Sequence, residues 1–170
     1  MPRLERRFLG DCGEHYVASY LYGMGLVPKL TERNTVAVDM TVATATGQRS
    51  ISLQVKTGQH RDTHVTRAKK PENDYWVWRV GRKAVTNRAK ASHWYAFVAV
   101  GNWLTGGGSP EVFFVPSHFV VKRLRENKQI GRPPFGQSEW FHMTEEEARL
   151  HRGLIGYRKL EKALKDKGAA

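Results

Sequence analysis

Residues 35–57 read TVAVDMTVATATGQRSISLQVKT. Val36, Val38, Met40 and Val42 alternate with Thr35, Ala37, Asp39 and Thr41. Ile51, Leu53 and Val55 alternate with Ser50, Ser52, Gln54 and Lys56. A period of two is what a half-buried strand requires, because successive side chains leave opposite faces. Between the two runs, Thr44-Ala45-Thr46-Gly47-Gln48 is a hairpin turn with glycine where a positive φ is wanted. Two antiparallel strands are therefore predicted, with Ile51, Leu53 and Val55 pointing into a core.

The hairpin has a chemical consequence. Gln54 and Lys56 share one face of their strand. A turn centred at Thr46-Gly47 sets Asp39 opposite Gln54, and one centred at Gly47-Gln48 sets it opposite Lys56. Either register brings a carboxylate, an amide oxygen and an ammonium within reach of one point. That set suits metal-assisted phosphodiester hydrolysis. Mg²⁺ (or Mn²⁺) takes hard oxygen ligands, and Asp39, Gln54 and the backbone carbonyl of Val55 offer three. Lys56 orients the attacking water or offsets charge on the phosphorane. Residues 11–25 read as a helix, with an apolar stripe of Val17, Ala18, Tyr20, Leu21 and Met24 and with Gly23 and Gly25 at its end. Glu14 precedes Val17 and Ala18 on that helix, so it stands at the edge of the buried face and is a further candidate ligand. The plainer readings are an exposed strand aspartate, a solvent-facing Gln/Lys pair and a solvated helix glutamate. The first is uncomfortable, because aspartate is disfavoured in strands.

Downstream, Leu26-Val27-Pro28 is a short extended connection. Further strands are predicted at residues 75–80, 94–100 and 111–115, the last stopped by Pro116. A short helix spans 118–127, and 131–136 is irregular. Thr144 and Glu147 form a capping-box pattern that opens a last helix of about twenty residues. That helix is expected to pack through Ala148, Leu150, Leu154, Ile155 and Leu160. Trp76, Trp78 and Trp94 read first as core packing, with stacking on splayed bases as the second use. His60 and His64 lack zinc-site spacing. Cys12 is read as a small packed residue.

The chain has 170 residues, with 28 Lys+Arg and 16 Asp+Glu, so the balance is 28 − 16 = +12. One domain over 1–167 is expected, with 168–170 a disordered tail. The pI near 10.1 favours polyanionic partners. DNA is the first candidate, RNA is not excluded, and an anionic membrane surface comes second. Arg61, Arg67, Lys69, Lys70, Arg82, Lys83 and Arg88 lie in two basic stretches suited to phosphate contact. No apolar run is long enough to span a membrane, and no secretory h-region follows the N-terminus. A lone cysteine excludes an intramolecular disulfide and a Cys-based zinc cage, which fits a reducing cytoplasm.

Gly13-Glu14 on a helix, Asp39 on a strand, a hairpin and then Gln54-Val55-Lys56-Thr57 together resemble the PD-(D/E)xK nuclease superfamily. The likeness covers residues 11–57 well and the following strands loosely. The family has an acidic residue at the position of Gln54; glutamine there is similar to Mrr-type restriction enzymes. Val38 stands where the motif's name has proline. A helix glutamate like Glu14 is familiar from archaeal Holliday-junction resolvases. The resemblance implies an α/β fold with a restriction-endonuclease-like αβββαβ core, a mixed central sheet of about five strands flanked by helices, and a C-terminal helix packed on it. It implies Mg²⁺-dependent DNA cleavage with Asp39, Gln54, Lys56 and Glu14 as catalytic residues. Cutting both strands of a duplex would call for a homodimer. A catalytically inactive nucleic-acid-binding module on the same fold is the alternative, and a basic domain bound to an acidic protein partner is a third.

Overall fold

The computed structural model describes residues 6–31, 38–58, 75–81, 92–101, 103, 107–129 and 138–166. In chain order these form α1 (Arg6–Gly23), β1 (Val27–Leu30), β2 (Met40–Ala43), β3 (Ser50–Gly58), β4 (Tyr75–Gly81), β5 (His93–Ala99) and β6 (Glu111–Pro116). Then come α2 (Ser117–Gln129), β7 (Ser138–Thr144), α3 (Glu145–Arg149) and α4 (Gly153–Lys165). The central sheet has five strands in the order β1-β2-β3-β5-β6, and β4 and β7 form a separate two-stranded ribbon. β3 and β5 run parallel, while the other neighbours in the central sheet are antiparallel. The sheet is therefore mixed, as expected for an α/β fold.

The hairpin forms with Met40 opposite Leu53 and Ala43 opposite Ser50. Its centre is Thr46-Gly47, where the Gly47 amide donates to the Thr44 carbonyl at 2.8 Å. The first of the two registers is thus the one adopted. Alternation then does what the sequence pattern implies. Ile51, Leu53 and Val55 are buried, while Ser52, Gln54 and Lys56 are half-buried on the other face.

Each face of the central sheet has its own cover. One carries Leu53, Val55, Trp94, Ala96 and Val98 beneath Val17 and Leu21 of α1 and Tyr157, Leu160 and Leu164 of α4. The other carries Tyr95, Phe97, Phe113 and Val115 beneath Trp76 and Trp78 of β4, Phe141 and Met143 of β7 and Leu124 of α2. Phe97 stacks on Phe141 with ring centroids 4.6 Å apart and meets Trp78 at 4.9 Å. The Trp78 indole N–H donates to the Val98 carbonyl at 3.1 Å, which satisfies its one polar group on the dry face.

Several expectations change. The segment at Val27 is not a connection but strand β1, paired to β2. The strand at 36–42 is shorter: β2 begins at Met40, Val38 and Asp39 are irregular, and 36–37 lie outside the described residues. The strand at 75–80 does form, yet it leaves the central sheet and pairs with β7, which no sequence reading anticipated. The capping box at Thr144 is present, with the Glu147 amide donating to the threonine hydroxyl at 3.2 Å. The helix it opens is only Glu145–Arg149.

The chain then turns back on β6, where the Phe114 amide donates to the His151 carbonyl at 2.9 Å. Gly153, at φ 49°, restarts the helix in a conformation that other residues rarely adopt. The break rotates the packing face. Ala148 and Leu160 are buried as expected, but Leu150, Leu154 and Ile155 are exposed, and Gly156, Tyr157 and Leu164 are buried in their place. The segment 131–136 and the tail 168–170 lie outside the described residues.

Candidate active site

β2 and β3 part company at one end. Their pairing reaches Met40↔Leu53, and β3 continues to Gly58. Asp39 stands at the parting. Its amide donates to the Leu53 carbonyl at 3.0 Å, and its carbonyl accepts from Thr31 at 3.0 Å. Its Oδ2 accepts from the Val55 amide at 2.7 Å. The carboxylate thus replaces a strand neighbour for Val55, and the aspartate is held by hydrogen bonds on three sides. This accounts for an aspartate beside a sheet, a place where its local preference is poor.

Lys56 reaches the same oxygen, with Nζ 3.9 Å from Asp39 Oδ2. Both side chains keep about a quarter of their surface, at 26% and 23%. Such a pair is a loose, water-accessible contact rather than a buried salt bridge, and it adds little stability. Gln54 shares the face of Lys56, and Tyr95 of β5 stands beside Gln54 in register. At Val55 it is the backbone amide that engages Asp39.

Glu14 arrives from the other side of the sheet. α1 comes close to the end of β3 because residue 13 is glycine. A Cβ at that position would collide with Oγ1 of Thr57. Gly13 therefore sets the depth of the helix, and the next residue is carried to the rim of the sheet. The Glu14 carboxyl is pushed above the usual carboxylate range, first by burial and then by the negative charges of Asp39 and Asp11. Lys56 and His15 oppose that shift. Glu14, Asp39 and Lys56 thus act on one another electrostatically, across the line where the two faces meet.

Among the described residues, no three His, Cys, Asp or Glu side chains come together as a metal-holding group. The donors at the rim are two carboxylates and one amide. The Asp39 charge raises the affinity of Glu14 for a proton, and a divalent cation would relieve the same repulsion. The donor set fits such an ion. Arg61, Arg67, Lys69, Lys70, Arg82, Lys83 and Arg88 all lie outside the described residues.

Tyr95 was missed by the sequence reading. The apolar run 94–100 marks a strand, but it does not show the parallel pairing that sets Tyr95 against Gln54. Burial first, and then the Asp39 charge, push its hydroxyl up to about 12. Among the described residues, no helix is long and apolar enough to cross a membrane.

No protein-family model matches the chain, and no curated protein does. Among solved structures, the chain is similar to a bacterial homing endonuclease at 14% sequence identity, with a TM-score of 0.50. The match spans 95% of this chain and 92% of that one. At this identity the likeness is one of fold, and it extends over nearly the whole length of both chains.

Proposed function

We propose that the chain is a metal-dependent endonuclease of the PD-(D/E)xK type that hydrolyses phosphodiester bonds in DNA. The observation that carries the reading is the convergence of Glu14, Asp39 and Lys56 where β3 outruns β2, with Gln54 on the face of Lys56. The homing endonuclease of similar fold supports it, and so does the net charge of +12. Asp39, Glu14, the Gln54 amide oxygen and the Val55 carbonyl would hold Mg²⁺ or Mn²⁺. The Val55 amide and Lys56 both engage Oδ2 of Asp39, which leaves Oδ1 for a cation. When bound, the ion supplies positive charge against the developing phosphorane and acidifies water. Lys56 orients the attacking water or adds a second positive charge at the phosphoryl oxygens. The basic stretches at 61–70 and 82–88 would grip the DNA backbone, and two copies of the chain would serve the two strands.

The test is cleavage of plasmid and branched DNA with Mg²⁺ or Mn²⁺. Lys56→Ala is expected to lower the rate by about 100-fold or more, the usual cost of deleting a group that stabilises transition-state charge. A variant as active as its parent refutes the assigned role. A second reading draws on Gln54, which leaves the rim with two carboxylates only. It is a DNA-binding module that has lost hydrolysis. It predicts salt-sensitive binding and no cutting with any divalent metal.

A further inference from the structure

The Tyr95 side chain has no exposure to solvent. Its ring stacks on Phe97 at 5.6 Å and meets His93 edge-on at 5.2 Å. Its hydroxyl is buried and has no hydrogen-bond partner among the described residues. A phenylalanine would pack into the same space without that cost, so a buried phenol here calls for a polar partner. Gln54 is a neighbour able to become one. It is Tyr95's register partner in the parallel β3–β5 pairing, and residues so paired share a face. Its amide carries both a donor and an acceptor.

The two ends of an amide are chemically different. Only the oxygen end attracts a cation; the NH₂ end presents positive hydrogens and repels it. A carboxylate at the same position has two equivalent oxygens and needs no such choice. A glutamine ligand therefore needs a neighbour that fixes which end faces the ion. We propose that Tyr95 is that positioning residue: its hydroxyl oxygen accepts from the Gln54 NH₂ group and so turns the amide oxygen toward the rim shared with Asp39. This rests on the reading of Gln54 as a cation ligand. The Asp39 charge favours an orientation of the hydroxyl with its proton toward the carboxylate, which leaves the lone pairs for the amide. The phenol keeps its proton throughout the physiological range.

The test is a double-mutant cycle read by Mn²⁺ affinity, using calorimetric titration or the free-Mn²⁺ electron paramagnetic resonance signal. The proteins are the parent, Tyr95→Phe, Gln54→Glu and the double variant, each shown to be folded by a cooperative thermal melt. Tyr95→Phe is expected to weaken Mn²⁺ binding about 10-fold in the glutamine background, the usual effect of removing a group that orients a ligand. In the glutamate background it is expected to leave the affinity within about 2-fold, because there is no amide to orient. Equal losses in both backgrounds mean that Tyr95 acts only through packing, and overturn the inference. So does undiminished binding by Tyr95→Phe in the glutamine background. A parent that binds no Mn²⁺ overturns the metal reading of Gln54, and the inference with it.

Discussion

The two faces of the central sheet solve the same problem with different materials. Beneath α1 and α4 the cover is mainly aliphatic, with Val17, Leu21, Leu160 and Leu164 meeting Leu53, Val55 and Val98. Beneath the β4–β7 ribbon it is aromatic, with Trp76, Trp78 and Phe141 meeting Phe97 and Phe113. The two-stranded ribbon brings few residues to its face, and large aromatic side chains supply the buried area. The polar group belongs wholly to neither face. Glu14 comes with the helical layer, Gln54 and Lys56 with the other, and they meet where β3 extends beyond β2. The difference teaches that this site is a property of a rim, and that both layers must be docked for it to exist.

The strongest way to break this picture is to hollow the aromatic layer. Phe97→Ala is expected to cost about 4 kcal/mol, and Leu53→Ala on the helical face about 3 kcal/mol. Urea unfolding of the two variants checks the order. A near-zero loss for Phe97 would mean that the ribbon is not docked in solution. Next comes the helix. Gly13→Ala is expected to destabilise by up to about 3 kcal/mol through overpacking against Thr57, and to lower cleavage by moving Glu14. Adding Thr57→Ala should restore much of the stability. Strictly additive losses in the double variant would deny that the helix rests on Thr57.

The seam between the layers gives a pH handle. His151 is buried, its ring 5.1 Å from Phe119 and its Nδ1 3.1 Å from the Phe114 carbonyl. Burial, then Lys159, lowers its pKa to about 4, while the Phe114 carbonyl pulls the other way. The unfolded chain takes up that proton near pH 6.5, before the folded one does. The stability contributed is therefore complete above pH 6.5 and is lost as pH falls toward 4. Between pH 7 and pH 5 this group should account for a loss of about 2 kcal/mol. A His151→Gln variant with the same slope in denaturant melts would show that the seam does not titrate.

The smallest effect sharpens the comparison most. Glu14 has a raised pKa, so its proton stabilises the fold below the unfolded value, and that contribution disappears as pH rises through the folded one. At pH 7 the ionised Glu14 is held at a cost. Glu14→Gln should melt slightly higher than the parent at pH 7, with the advantage shrinking as pH falls toward 4. It should also lose cleavage. Scanning calorimetry at the two pH values decides it, and a lower melting point at pH 7 would mark Glu14 as a structural residue.

How much of this was legible in the sequence differs from element to element. The β2–β3 hairpin was visible because alternation and a glycine turn are local signals. β1 was not, since Val27–Leu30 has no alternation: Pro28 alone is buried, while Val27 and Leu30 are exposed. β4 read as a strand, yet its partner β7 lies more than fifty residues away, and no local pattern names a distant partner. Thr144 and the apolar residues after it satisfy helix rules, so from the sequence alone the last helix reads as continuous. The return to β6 at His151 breaks it, and that is a long-range contact.

What the amino-acid sequence by itself determined is the chemistry on offer: one carboxylate, one amide and one ammonium at hairpin spacing, with a second carboxylate on an amphipathic helix. Two registers were open, and either served. Only the tertiary structure decided that the hairpin takes the Thr46-Gly47 register and sets the Asp39 carboxylate against the Val55 amide, that Gly13 lets α1 settle against Thr57 and carry Glu14 to the rim, and that Tyr95 is the register partner of Gln54. The physical reason is that periodicity states which side of a strand or helix is dry, whereas the neighbour across that dry side is chosen by packing between segments far apart in the chain.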